Sequence, residues 1–514
     1  MRHPIVSGLV VCLLPALAPP AAAALFTGPF DTLVPSNPTS LSSADLDGDG
    51  DLDLIVCHYS TSLVTVLLND GSGRFDEAPG SPITVVPFPV SAVIASFNPQ
   101  QDSIPDVVVV GGLGPDRGGF LFRGDGTGRL LFQVAFGIEG ASEIGRQAAA
   151  PDFNGEGYDD IVFTGGQVRL GSGSALVRWT HLPLLRTAWE VAAGDFDGDG
   201  HPDAAFVSYV VSGGLLQVFL AVGATGDFVE APGSPLSFGV FPESISVADL
   251  DDDGDLDLAV TDIYAMGVDL LMNQGGGRFT ASGFAPVRAS YPRGIATADF
   301  DGDGRPDLAV GSNNSSAISV VLGEEGGGMR EIDESPLHVT VGVTQSIVTG
   351  DLNGDGLVDL AAVDFQGDRV AVFLHTPPPV LEVDIDLLPG SDDNVIRLGS
   401  QGSLPVAVLT TDAFDATTVD PASVRVAGAP PRLDAKGDPD CHFEDVDRDH
   451  RDDLLCKIDK AAVQLHPGDT VAVLEATTLD GKAVRGQDAV RVLAGKAPHH
   501  PSTTRWPGGI TSLP

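Results

Sequence analysis

Aspartates supply most of the chemistry available to this chain, and they recur on one plan, Asp-x-Asp-Gly-Asp-Gly-x-x-Asp. The plan runs through Asp45, Asp47, Asp49, Asp51 and Asp53, and again through Asp195, Asp197, Asp199, His201 and Asp203. It returns at Asp249, Asp251, Asp253, Asp255 and Asp257, at Asp299, Asp301, Asp303, Arg305 and Asp307, and at Asp351, Asn353, Asp355, Leu357 and Asp359. A sixth copy keeps the pattern as Asp152, Asn154, Glu156, Tyr158 and Asp160. In a tight loop, side chains at positions one, three and five converge on one point, and hard oxygen donors there suit a hard dication. Position seven can add its backbone carbonyl, and a carboxylate at position nine closes the shell. Glycines at positions four and six, such as Gly48 and Gly50, allow the left-handed backbone that curls the chain around an ion. Mg²⁺ prefers a rigid octahedron with retained waters, so a loop this rich in carboxylate predicts Ca²⁺ at six structural sites. A single Asp-Gly run is also a common solvated turn. Recurrence at fixed internal spacing argues for a shared purpose.

The elements that position these loops follow from the spacing. Loop starts at 45, 96, 152, 195, 249, 299 and 351 are separated by 51, 56, 43, 54, 50 and 52 residues, a propeller-blade period. Within one unit, Glu243 to Leu250 enters the loop, Leu256 to Thr261 leaves it, Val268 to Met272 follows, and Gly275-Gly276-Gly277 turns into Arg278 to Phe284. That makes four strands. The hexapeptide Glu-Ala-Pro-Gly-Ser-Pro at Glu77 to Pro82 and Glu230 to Pro235 fixes the register of two units. The last unit stops at Pro377 one strand short, while Leu25 to Val34 carries the Gly28 and Phe30 of a fourth strand. The N-terminal segment is therefore expected to complete the last blade, since a closed ring leaves no unpaired edge. The second unit, Ser96 to Asp106, lacks the first and third carboxylates and is expected to hold no metal.

The fold class is thus all-β, a seven-bladed β-propeller over residues 25–376 followed by a small β-sandwich over 381–493, with a proline-rich linker at 377–380. Alternation of Val383, Ile385 and Leu387 predicts one strand from Leu381 to Leu388; others are expected at Leu404 to Leu409, Ser423 to Ala427, Thr470 to Ala476 and Ala489 to Leu493. Residues 494–514, with His499 and His500, read as a disordered tail. Residues 1–23 read as a secretory signal peptide: Arg2 and His3, an apolar run from Ile5 to Leu17, then an alanine-rich cleavage site. The chain is expected to be secreted or held at a cell surface, with no membrane insertion. A formal charge of -43 argues against nucleic acid as a partner. In an oxidising compartment Cys441 and Cys456 are expected to form a disulfide, worth about 3 kcal/mol on the loop-entropy model. Cys57 reads as a small buried hydrophobe. Between the paired cysteines, Asp445, Asp447, Asp449 and Asp453 repeat the carboxylate spacing, but Arg448 and His450 replace both glycines, which leaves metal binding there open.

The repeated Asp-Phe-Asp-Gly-Asp-Gly-x-Pro-Asp signature resembles FG-GAP/VCBS repeats, the blade units of integrin alpha-chain propellers and of many bacterial secreted proteins. The resemblance implies that each loop joins the first two strands of a blade on one face of the ring. It also implies Ca²⁺ binding by the side chains at positions one, three, five and nine and by the carbonyl at position seven. Asp386 to Ser391 and Thr417 to Pro421 resemble a β-sandwich module of bacterial extracellular proteins.

For function, the leading expectation is a noncatalytic binding or adhesion module that takes an extracellular glycan or protein through its other face or central channel. A polysaccharide lyase or hydrolase is the alternative from another class, with His58, Tyr59, His181, Tyr209 and Tyr264 as scattered candidates that form no motif. A structural spacer that displays the C-terminal module is a third. Arg123-Gly124-Asp125 resembles the tripeptide of integrin ligands, for which coincidence is the better explanation in a chain with 63 glycines.

Overall fold

The computed structural model describes residues 25–97, 104–112, 118–137, 147–172, 176, 178–285, 290–332, 335–339, 342, 344–376, 380–391, 393–398, 402–479 and 482–493. The expected signal peptide, residues 98–102 of the second loop, the triple proline and the tail lie outside these. Two compact units result, one within Ala24–Pro377 and one after Pro378.

The larger unit is a β-propeller. Among the described residues it holds seven antiparallel sheets of four or five strands. In six of the seven sheets the first strand leads into one of the aspartate loops and the second leaves it. Asp53–His58, Asp203–Val210, Asp257–Asp262, Asp307–Ser312 and Asp359–Asp364 all begin on the ninth loop residue. Four of these five are buried along their whole length, and the other is buried up to its last two residues, because each sheet packs both faces against neighbours. The apolar side chains accordingly form inter-sheet cores rather than one central core. Leu41, Leu54 and Phe75 of the first sheet meet Leu352, Ala361 and Val372 of the last. The first strands, from Pro38–Ala44 to Thr344–Gly350, touch in a closed cycle. Phe26–Leu33 pairs antiparallel with Arg369–His375, so the first strand among the described residues is the outer strand of the last sheet. This is the closure expected from Gly28 and Phe30. It joins the beginning and end of the unit without a covalent link.

Among the described residues the smaller unit packs two four-stranded sheets and a two-stranded one around one apolar core that includes Leu387, Val406, Leu454 and Leu474. The single strand expected from Leu381 to Leu388 is instead two, Leu381–Val383 and Ile385–Leu387, and they join different sheets. Alternation alone cannot show that break, because both halves bury their apolar residues. The stretch expected at Ser423 to Ala427 shrinks to Arg425–Val426. Cys441–Glu444 and Asp453–Asp459 form a hairpin around the Asp445–Asp453 carboxylate pattern, and Cys441 is disulfide-bonded to Cys456 directly across it. Among the described residues no helix is long and apolar enough to cross a membrane.

Candidate metal centres and axial cavity

The loops fold as their sequence dictates. Gly48 and Gly50 adopt φ of 83° and 98°, angles that other residues reach only at a cost. The first-position carboxylate is the hub: Asp45 accepts hydrogen bonds from the Gly48 amide (2.7 Å) and the Gly50 amide (3.2 Å). Asp47 and Asp49 each accept one amide two residues on. The same scaffold recurs around Asp195, Asp299 and Asp351; around Asp249 the donors are the amides of Asp253 and Gly254, with Asp252 at φ 63° in the place of the first glycine.

Carboxylate oxygens come within 4.8 Å of one another in the groups Asp45, Asp47 and Asp53; Asp195, Asp197 and Asp199; Asp249, Asp251 and Asp257; Asp299, Asp301 and Asp303; and Asp445, Asp447 and Asp453. Asp49, Asp203, Asp253, Asp307 and Asp449 belong to the same loops but not to these groups. The loops at Asp152 and Asp351 have an amide at position three. Asn353 accepts from the Asp355 amide at 2.9 Å and donates to the Asp355 carboxylate at 3.1 Å, while Asn154 accepts from the Glu156 amide at 3.1 Å. Side chains at position seven point elsewhere. Arg305 bonds Asp252 of the preceding sheet's loop at 3.0 Å and Asp303 at 2.8 Å. His201 lies against Gly155 of its neighbour, and Asp51 and Asp255 lie against the outer turns at Gly71 and Gly275. Tyr158 lies against Gly171. With Leu357 apolar, position seven has only its carbonyl in common.

The ninth carboxylate does more than the sequence reveals. Asp53 accepts from the Leu46 amide at one oxygen and from the Asn69 amide, at the end of the third strand, at the other, both at 2.9 Å. Asp160, Asp203, Asp257, Asp307 and Asp359 make the same pair of bonds, to Phe153 and Gly171, Phe196 and Ala221, Leu250 and Asn273, Phe300 and Gly323, and Leu352 and His375. Each is therefore a buried anchor that ties loop to third strand, in addition to any part in an oxygen shell. Asn69 and Asn273 extend the tie across sheets by donating to the carbonyls of Leu352 (2.8 Å) and Phe196 (2.8 Å).

Electrostatically the loops are short of positive charge. Burial raises the carboxyls of Asp47, Asp197, Asp251 and Asp301, with neighbouring aspartates adding to the effect. Burial pushes Asp53, Asp257 and Asp359 up to about 6, and Asp160, Asp203 and Asp307 to about 7, against the pull of their two amides. Convergent, partly desolvated carboxylates, only one loop of which has, among the described residues, an arginine paired to it (Arg305 on Asp303), are the donor set that a hard dication fits.

The other ends of the strands meet a different environment. A cavity of about 660 Å³ runs among the first strands, lined by polar groups that include Gln147, Glu190, Glu243, Arg293 and Gln345. Arg293 approaches Glu243 at 3.6 Å, and its buried Nε has no hydrogen-bond partner. Of the catalytic candidates, His58 is buried and bonded to Thr65 at 2.9 Å, with burial holding its imidazole down at about 4. His181 sits on an outer strand. Tyr59, Tyr209 and Tyr264 instead join aromatic contacts near the cavity. Burial pushes the Cys57 thiol up to about 12. Asp125 of the Arg-Gly-Asp tripeptide is engaged by the Thr127 amide and hydroxyl of its own turn. Sequence reading missed Glu190, Glu243 and Arg293. The signal it passed over is their place on the first strands, between mouth and loop.

FG-GAP-like repeats occupy residues 249–310 and 299–362, where the family model matches. No curated protein matches the chain. Among solved structures, a crystal structure of BBS1N in complex with ARL6DN, soaked with mercury, is similar at 13% identity and a TM-score of 0.48, covering 68% of this chain and 97% of that one. The same complex soaked with lead is similar at 12% identity and a TM-score of 0.48, covering 69% and 98%.

Proposed function

We propose that these FG-GAP-like repeats build a secreted, calcium-stapled propeller that binds an extracellular ligand without transforming it. Ca²⁺ would be held by the side chains at positions one, three and five of the six complete loops, by the carbonyl at position seven, and by Asp53, Asp160, Asp203, Asp257, Asp307 and Asp359 where a lone pair remains beyond the amide bonds. Its role is structural, since the loops sit where the first two strands of each sheet must be clamped. The Cys441–Cys456 disulfide supports an oxidising, extracellular compartment, as does the expected signal peptide. The observation that carries the binding role is the division of the propeller: carboxylate loops at one end of the strands, and a polar axial cavity opening at the other. A concave site lined by several sheets suits ligand capture.

The test is an array of extracellular glycans and matrix proteins probed with calcium-loaded and chelator-treated chain. Retention of a ligand only with calcium supports the reading. Equal retention in both states, or turnover of a retained polysaccharide, overturns it.

A further inference from the structure

Four of the chain's five tyrosines, Tyr59, Tyr209, Tyr264 and Tyr291, lie at the cavity end of the strands, with Trp189. They occupy few repeat positions. Phe88, Trp189, Phe241 and Tyr291 each stand immediately before a first strand, and Tyr59, Tyr209 and Phe365 each follow the last residue, or next to last, of a second strand's buried run. The antiparallel course of these strands puts all of these positions at the end away from the aspartate loops. Tyr59, Trp189 and Phe365 line the cavity itself.

The rings form a continuous patch on two sheets. Trp189 stacks on Tyr209 with centroids 6.0 Å apart and meets Phe241 at 5.5 Å, Tyr209 meets Phe241 at 4.4 Å, and Phe241 meets the exposed Tyr264 at 5.2 Å. Across the mouth Tyr59 meets Phe88 at 5.2 Å. Phe88 and Tyr291 have φ of 55° and 56°, left-handed angles that are costly for bulky residues. The first sheet puts Asn37, φ 60°, at the same place, a residue that tolerates the angle. Aromatic rings are thus kept at the mouth where packing of the backbone alone would favour asparagine or glycine.

We infer that the axial cavity and its aromatic rim form a binding site for a neutral glycan, which enters by a sugar end. This deepens the proposed function and rests on it. A pyranose has two chemistries, an apolar C–H face and a rim of hydroxyls, and the site offers both. Ring faces at the mouth take the C–H face. Inside, Glu190 and Glu243 accept from hydroxyls, Arg293 donates, and Gln147 and Gln345 do either. The Arg293 Nε, buried with no partner, is a donor aimed at a group the protein does not supply. A volume of about 660 Å³ accommodates one or a few sugar rings. Charge selects the class: two carboxylates face one guanidinium, on a chain of formal charge -43, so uronate- or sulfate-bearing glycans are repelled.

The experiment uses the full calcium-loaded chain on neutral oligosaccharides (glucan, mannan, xylan and galactan fragments), on acidic ones (polygalacturonate, alginate and chondroitin sulfate) and on matrix proteins. Glu190→Gln and Trp189→Ala are compared, with melting curves to confirm folding; Glu190→Gln is nearly isosteric and keeps the assay informative if Trp189→Ala unfolds. Expected is retention of a neutral glycan, insensitive to salt, weakened about tenfold or more by either folded variant. Retention of acidic glycans only overturns the inference, as does a neutral glycan whose binding neither variant weakens. A matrix protein bound in place of any glycan also overturns it while the binding-module reading survives. Loss of every ligand class overturns both.

Discussion

The loop at Asp445–Asp453 and the loops of the propeller write one carboxylate pattern and hold it by different means. In the propeller, glycines such as Gly198 and Gly200 take the left-handed positions at φ of 77° and 89°. In the sandwich, Arg448 and His450 take them at 71° and 73°, bearing side chains through the same turn. Asp453 keeps the ninth-position anchor, accepting from Val446 and, in place of a third-strand amide, from Thr410, both at 2.8 Å. Arg451 at the seventh position pairs with Asp412 and approaches Asp449 at 3.5 Å, as Arg305 does with Asp252 and Asp303 in one propeller loop, and the sandwich adds His450, which approaches Asp445 at 3.8 Å. A disulfide then closes the hairpin. What both regions retain is the buried ninth carboxylate. The described propeller loops keep glycine at one or both turning positions, Asp252 standing in for one at φ 63°, and have no covalent closure, whereas in the sandwich hairpin both glycines are gone and a disulfide closes the loop.

If this contrast reflects metal against covalent closure, calcium removal has the largest effect and strikes one unit. At millimolar calcium each site adds roughly 1 to 2 kcal/mol, and six sites rival the whole stability of a domain. Calorimetry in chelator should show the propeller transition falling by many degrees and the sandwich transition nearly still. Two transitions that move together break the comparison. Asp307→Ala comes next, because it leaves the amides of Phe300 and Gly323 buried without a partner, at a cost of about 3 to 5 kcal/mol. That loss should persist in chelator, whereas Asp301→Asn should cost stability only when calcium is present. Reduction of Cys441–Cys456 follows, expected to remove about 3 kcal/mol from the sandwich alone. Its measure is the sandwich transition with and without reductant, at constant calcium.

The sequence exposes some of this more readily than the rest. Carboxylate spacing is local, so the loops and the strands on either side are legible, and closure by Phe26–Leu33 follows from the missing fourth strand. The amides that bind the ninth carboxylate are not legible, since Asn69, Ala221 and His375 share no side-chain chemistry and contribute only backbone. Their selection depends on third-strand register. The aromatic rim is dispersed for a similar reason: Trp189, Phe241 and Tyr264 look isolated along the chain, Phe241 meeting Tyr264 only when two strands pair and Trp189 only when adjacent sheets are set side by side. In the sandwich, the break between Val383 and Ile385 is a tertiary choice between two sheets that pattern alone cannot make.

A carboxylate outside the loops sharpens the comparison through pH. Asp269 is 4% exposed, and one of its oxygens has no hydrogen-bond partner. Burial first, and then the charge of Asp262, push it up to about 7. Asp262 is satisfied by the amides of Phe241, Tyr264 and Ala265. Because the folded value lies above the unfolded one, protonation stabilises the fold: the contribution is complete below about pH 4 and is lost as pH rises through about 7. Asp269→Asn should therefore stabilise the propeller above neutral pH by on the order of 1 to 3 kcal/mol and flatten its pH dependence at saturating calcium. Unchanged melting across that range would show that the carboxyl stays ionised.

The smallest expected effect tests the contrast most directly. Replacing Arg448 and His450 together by glycine relieves two left-handed side chains, each worth about 1 kcal/mol, against a similar gain in unfolded-state freedom. In chelator the sandwich should therefore shift by less than about 1 kcal/mol. The double variant also removes two basic groups beside Asp445, Asp447 and Asp453, whose oxygens already lie within 4.8 Å of one another. Titrated with calcium, it should gain a stabilisation that the parent sandwich lacks, read as a calcium-dependent rise of the second calorimetric transition. If the parent rises equally, the basic side chains do not stand in for the ion and the two regions differ only in sequence. If neither rises, the hairpin's disulfide fixes a loop geometry that glycine alone cannot convert into a cation site.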